Sequence, residues 1–324
     1  MSAAAGGSGG SSRVKGESWA LVAALSYALN NVFTGVAVQG NDLNYLVGVT
    51  LRATPTLVFA AAVGWGARRR NPQALSPLSD WRALAALIGY GLLTFVIGGP
   101  LYFGALREGG VVVASPITGT QVLWGALIAA LFLREPFTWR MAAGMLVSVS
   151  GIALLSLGKS GGLELSQGWW LAIPAAAGAA LCWSLSGVLI AYTMRRGVDR
   201  FQALSIAVLV GLVGVNACLL VGGDLGAYAA TRSELALSVF TAGLFGTVAL
   251  VSMTSALAFT SVASANAINS LQVGLAPLMA WLFVGEGMNA PMSVGILLIM
   301  VGVVVVQRAR LACEEAAAEE PQAG

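Results

Sequence analysis

Tyr27, Asn30, Asn31 and Thr34 stand at i, i+3, i+4 and i+7 in an otherwise apolar run, which gathers a phenol, two amides and a hydroxyl on one helix face. Ser115, Thr118 and Gln121 form a second stripe, and Asn266, Asn269 and Gln272 a third. Such groups orient rather than react. They hydrogen-bond a polar solute, or they bond across helices for about 0.6 kcal/mol each in a membrane. For the Asn30/Asn31 pair and for Asn266/Asn269 both uses stay open. Tyr90, Thr94 and Tyr102 come from a further run. The rings of Tyr27, Tyr102, Trp124 and Trp183 are suited to hold an apolar body while the amides orient a polar head.

Arg52 is the one charged residue that falls inside an apolar run. A guanidinium there fits a substrate carboxylate or phosphate bidentately. The competing reading is structural: snorkelling to the interface, or satisfying carbonyls freed by Pro55. Glu135 and Glu286 stand at run ends, just ahead of the N-cap candidates Thr138 and Asn289, where a negative charge favours a helix N-terminus. They read as helix-end residues, with gating as the alternative (Glu135 against Arg134 or Arg140). The chain has no histidine, and Cys182, Cys218 and Cys313 are scattered singly. No catalytic residue, metal site or cofactor is expected, and the protein reads as no enzyme.

The elements that must hold these residues follow from composition. Of 324 residues, 57% are hydrophobic and 10% charged, with a mean hydropathy of +0.83. Soluble chains carry about a quarter charged residues, so a soluble fold is excluded. A net charge of +3 without a basic cluster argues against nucleic acid. The expected partners are a small-molecule substrate and the lipid bilayer.

A spanning helix needs about 20 apolar residues. Ten runs qualify, near 18–38, 43–66, 83–104, 111–133, 139–157, 168–193, 202–222, 235–259, 263–284 and 290–307. The fold class is therefore an all-α integral membrane protein. Residues 1–17 and the acidic 308–324 read as disordered cytoplasmic tails. With ten spans, 13 of the 17 Lys and Arg fall on the side of the N-terminus. The positive-inside rule then places both termini in the cytoplasm of a multi-pass plasma-membrane protein.

The runs are duplicated. An offset of 151 aligns 111–152 with 262–303 without a gap, with 14 of 42 positions identical, among them Gln121/Gln272, Glu135/Glu286, Gly144/Gly295 and Gly151/Gly302. An offset of 156 pairs Ala23-Ala24-Leu25 with Ala179-Ala180-Leu181 and Tyr27 with Trp183. The repeat is five spans long, 18–157 and 168–307, joined by 158–167. Five is odd, so the second copy crosses in the opposite sense, an inverted repeat of the kind secondary transporters use. The small-residue ridges Gly144/Ser148/Gly151 and Gly295/Gly302 allow close helix approach, within the chain first, with a homodimer left open.

The order and duplication of these motifs resemble the drug/metabolite transporter superfamily, specifically its EamA-type ten-helix members. Tyr102-Phe-Gly-Ala-Leu106, Ala114-Ser-Pro116, Leu131-Phe-Leu-Arg-Glu-Pro136, Gly144 and Gly151 carry the resemblance in the first half. Ser255-Ala-Leu257, Asn266 to Pro277, Leu282-Phe-Val-Gly-Glu286, Gly295 and Gly302 carry it in the second. Arg52 stands where many members have an arginine in their second helix. Gln121-Val-Leu-Trp124 departs from the pattern, because many relatives place a proline there and only the second half keeps one, Pro277. The resemblance implies transport of a small metabolite, amino-acid-like or drug-like, by alternating access, with export as the family's direction. The alternatives are an exchanger of phosphorylated metabolites or nucleotide sugars, or a membrane scaffold that does not transport.

Overall fold

The computed structural model describes residues 7–70, 80–132, 138–160, 168–257, 259 and 268–319. Twelve α-helices follow in chain order among the described residues. They are α1 (Gly7–Val38), α2 (Tyr45–Arg70), α3 (Trp81–Gly91), α4 (Gly99–Gly119), α5 (Gln121–Phe132), α6 (Trp139–Ser160), α7 (Ala172–Arg195), α8 (Arg200–Val221), α9 (Ala227–Ala230), α10 (Ser233–Leu257), α11 (Gln272–Met279) and α12 (Ala290–Glu319). Short π-helical stretches, Leu92–Gly98 and Ala280–Val284, join α3 to α4 and extend α11.

Eight helical stretches are long and apolar enough to cross a membrane. One of them, Trp81–Gly125, has 45 residues. At 1.5 Å per residue that is about 67 Å, roughly two bilayer cores. It doubles back at Gly110, whose φ of 74° and ψ of 175° break the helix. This stretch is thus the third and fourth spans, and the shorter apolar helix Gln272–Val284 belongs to the ninth. The chain crosses ten times. Trp65, Trp81, Trp139 and Trp170 are exposed at helix ends, the place where indole rings settle at membrane–water interfaces.

The packing repeats with the sequence. The first span lies against the eighth as the sixth lies against the third, while the second pairs with the seventh and the fifth with the tenth. Exchanging the two halves therefore returns the same contacts, as an inverted repeat requires. The fifth and tenth spans touch through the predicted ridges. A Cβ on Gly151 would lie 2.6 Å from the Gly295 carbonyl oxygen, and one on Gly295 2.7 Å from that of Gly151. Ser148 and Gly144 meet Gly302 in the same way. Both ridges are consumed inside the chain and are not offered to a second copy.

Two boundaries differ from the sequence reading. Helix α1 starts at Gly7 and α12 runs on to Glu319, so helix continues into segments expected to be tails. For α12 the reason is composition: its last turns are Ala, Arg, Leu and Glu, the best helix formers.

Candidate functional site

Spans four and nine are both broken at mid-length, and the breaks are copies of each other. In span four, Thr120 N–H donates to the Ile117 carbonyl at 3.0 Å and Leu123 N–H to that of Thr120 at 2.8 Å. In span nine, Leu271 N–H donates to Ile268 at 3.0 Å and Gly274 N–H to Leu271 at 3.1 Å. Every residue in the second set is its counterpart in the first plus 151. A single tight turn thus interrupts each helix just before Gln121 and Gln272, and two half-helix N-termini begin there. Pro116 lies one turn before the break in span four and Pro277 beyond the break in span nine, so the two breaks share their turn but not the position of a proline.

Around the two breaks lies a cavity of about 470 Å³. Its wall includes Tyr27, Asn30, Asn31, Arg52, Gln121, Trp183, Asn269 and Gln272, eight of the residues expected from the sequence. The pseudo-symmetry runs through it. Tyr27 and Trp183, Asn30 and Ser186, Asn31 and Gly187, Thr118 and Asn269, and Gln121 and Gln272 are repeat mates that all line it. Arg52 faces the same space and has no charged counterpart from the second half among the lining residues. The symmetric frame carries one unmatched charge.

The amides of span one are anchors as well as lining. Asn30 is 2% exposed. Its Nδ2 donates to the Ala242 carbonyl, and its Oδ1 accepts from Arg52 Nη2 at 2.8 Å. Three spans are thereby tied together, and the guanidinium is aimed. Asn31 Oδ1 accepts from the Tyr102 hydroxyl at 2.7 Å, and its Nδ2 donates to Ser115 Oγ at 3.1 Å. Tyr102 itself is fully buried behind the wall. Its ring meets Trp183 edge-on with centroids 5.1 Å apart, and the Arg52 guanidinium sits 5.2 Å from its centre. It supports the wall and does not form it. Trp124 is half-buried and not among the lining residues. Asn266 and Glu135 lie outside the described residues.

Glu286 caps a helix, but a different one from that expected. Asn289 alone caps the tenth span, its Oδ1 accepting from Met292 N–H at 3.0 Å. The Glu286 carboxylate instead reaches the start of span four. Oε1 accepts from Val111 N–H at 3.0 Å and Oε2 from Val112 N–H at 2.9 Å, while Gln39 Nε2 donates to Oε1 at 2.8 Å. Gly110 makes this possible twice over. Its positive φ suits glycine, and a Cβ there would sit 2.6 Å from both Gln39 Nε2 and Glu286 Oε2. A carboxylate of the second half thus closes on the N-terminus of a helix of the first, the charge arrangement the helix dipole favours. The reading from sequence missed this because Val111 and Glu286 are 175 residues apart.

Thr56 and Gln307 also line the cavity and were not singled out from the sequence. Thr56 had a signal, since it stands four residues after Arg52 on the same face. Gln307 adjoins Arg308 and reads as interfacial. Its Oε1, like Asn269 Oδ1, is buried with no hydrogen-bond partner.

The model of the EamA-like transporter family matches this chain twice, over residues 14–157 and 170–308, one match per five-span half. The chain belongs to the EamA-like transporter family. No curated protein matches it. A solved structure titled only "Crystal structure of protein" shares the fold, with a TM-score of 0.55 over 91% of this chain and 98% of that one at 19% identity. The EamA-like chain is accordingly a membrane transporter by family, and its inverted halves enclose the cavity.

Proposed function

We propose that the protein moves a small amphipathic metabolite, amino-acid-like or drug-like, across the plasma membrane by alternating access, with both termini in the cytoplasm and export as its direction. The observation that carries this reading is the cavity between the inverted halves, walled by Asn30, Gln121 and Asn269 and set against the two helix breaks. A scaffold has no need of a polar space at its pseudo-symmetry axis. Its volume falls in the range of small-ligand sites, about 300–1,000 Å³.

The cavity is closed at one end and reaches further at the other. At the Gly110 end, Phe103, Leu106 and Val111 to Val113 are buried together beneath the Glu286 cap. Toward the other end the lining extends to Ile190, Leu204 and Gln307. Rocking the halves apart at Glu286, and together at the Gln307 end, exchanges the open side. An exchanger of phosphorylated substrates is less well served, because among the described residues Arg52 is the only Lys or Arg lining the space.

Overexpression followed by measurement of cellular retention and tolerance across amino acids and toxic analogues tests the reading. Reduced retention of some compounds is expected. Unchanged flux and tolerance across a broad panel, in cells and in proteoliposomes, would remove the transport assignment.

A further inference from the structure

Among the described residues Arg52 has no counter-ion: no ion pair includes it, and no Asp or Glu lines the cavity. Its contacts there are neutral: the Asn30 amide oxygen and the face of Tyr102. A guanidinium inside a membrane span without a carboxylate partner is costly, and such a charge ordinarily faces a cavity or a partner.

A second cation lies behind the wall. Arg200, half-buried at the start of α8, acts electrostatically on Tyr27 together with Arg52. Among the described residues, the carboxylates nearest this wall are already committed. Glu286 acts on Tyr102 from the closed end, but its oxygens hold Val111 N–H, Val112 N–H and the Gln39 amide. Asp199 caps α8 through Phe201 and Gln202 N–H.

We infer that the cavity selects an organic monoanion, a small carboxylate on an apolar or aromatic body, with the carboxylate against Arg52 and the body against Trp183, Tyr27 and Phe95. The inference rests on the transport reading for its setting and narrows it, naming the charge of the solute and setting the zwitterionic, amino-acid-like arm aside. One unmatched cation calls for one negative charge. An amine lacks that charge, and a zwitterion brings an ammonium for which the wall holds no carboxylate. The Arg52 fork has five N–H donors, of which Nη2 is engaged by Asn30, so donors remain for a second acceptor without breaking the tie that aims it.

The test uses the full chain in proteoliposomes and four probes on one skeleton: 3-phenylpropionate, its amide, 3-phenylpropylamine and phenylalanine. Binding is followed by tryptophan fluorescence, since Trp183 is in the wall, and flux is measured separately. The carboxylate is expected to half-saturate at a concentration at least tenfold lower than each of the other three. Arg52→Gln should bring the four within about twofold of each other, and Arg52→Lys should keep part of the preference. Tighter binding of the amide, the amine or the zwitterion overturns the inference, as does a preference that survives Arg52→Gln or the absence of binding by all four. If Arg52→Gln does not fold, the wild-type ranking and Arg52→Lys decide. Carboxylate binding without flux upholds the anion assignment while removing transport; flux of the amine alone does the reverse.

Discussion

Removing the charge of Glu286 should open the end of the cavity that it seals. In the structure this carboxylate accepts three hydrogen bonds, from Val111 N–H, Val112 N–H and Gln39 Nε2. All three cross from the second half of the molecule to the first. Glu286→Gln keeps a carbonyl oxygen that can accept from one amide but presents an NH₂ to the other, and the helix dipole loses its counter-charge. Hydrogen bonds to a charged group contribute about 1.5–3 kcal/mol each, and a lost helix cap about 1 kcal/mol. A net loss of about 2 kcal/mol is the conservative figure. If the bonds exist only in the state closed at Gly110, that loss raises the population open at this end by roughly thirtyfold. Ser115, one turn below Val111 and 3% exposed, is the reporter. With Cys182, Cys218 and Cys313 replaced, Ser115→Cys is labelled by a membrane-impermeant thiol reagent added from the Gly110 side. Labelling should speed up about tenfold or more in Glu286→Gln, and similarly in Gly110→Ala, whose Cβ displaces the same carboxylate. A rate within twofold of the parent in both folded variants would show that the contact does not hold this end shut.

Gly302→Ala should lower the melting temperature in detergent markedly, because its Cβ would overlap the Gly144 carbonyl and Ser148; overpacking of this kind costs about 1–3 kcal/mol, and an unchanged melting temperature would refute the intramolecular use of the ridge. Tyr102→Phe should destabilise by about 1–3 kcal/mol, since it leaves the Asn31 acceptor without its donor, and should weaken substrate binding only indirectly, which equilibrium binding will separate from unfolding. At the interface Asp80 pairs with Arg196 and caps α3 through Arg82 N–H. The Arg196 contact holds its carboxyl below the usual carboxylate range. That stabilisation is present above the unfolded-state pKa and is lost as pH falls through the lower folded value. The stability difference between the parent and Asp80→Asn should therefore be full at pH 6–7 and vanish on acidification below about pH 4; a difference that persists in acid would refute the pairing.

The spans and their duplication were legible because both leave one-dimensional marks. Twenty-residue apolar runs announce crossings, and an offset of 151 announces the repeat whether or not the helices touch. The stripe Tyr27/Asn30/Asn31 was legible for the same reason, since helical spacing alone puts it on one face. Contacts that join distant segments were not. Nothing local ties Glu286 to Val111, and the nearest capping partner in sequence, at the tenth span, was the natural but mistaken choice. Tyr102 failed differently: it shares the polarity of the lining, but the ring of Trp183 closes over it, and burial by a residue 81 positions away leaves no trace in the spacing. The helix breaks fell between these cases. Proline was the obvious signal, but Pro116 and Pro277 stand at different places relative to the breaks, whereas the duplicated backbone turn falls at the same register in both halves, between Ile117 and Gln121 and between Ile268 and Gln272.

Where the two halves agree, they build the frame, and where they disagree, they supply its chemistry. The paired breaks, ridges and packing belong to both copies and specify a cavity on the pseudo-symmetry axis. A symmetric frame alone would bind a solute in two equivalent orientations. The lone charge of Arg52, with Asn30 opposite Ser186 and Asn31 opposite Gly187, removes that equivalence, and all three polar members lie in the first half. Their bonds to Ala242, Tyr102 and Ser115 fix them in place. The facing residues Ser186 and Gly187 of the second half are small, with Trp183 supplying the ring, while the second half contributes the amides of Asn269 and Gln272 further along the wall. In the transport we propose, a head held by Arg52 keeps its partners on the first half while movement of the second half changes what surrounds the body, the asymmetry by which a solute is carried with a moving wall.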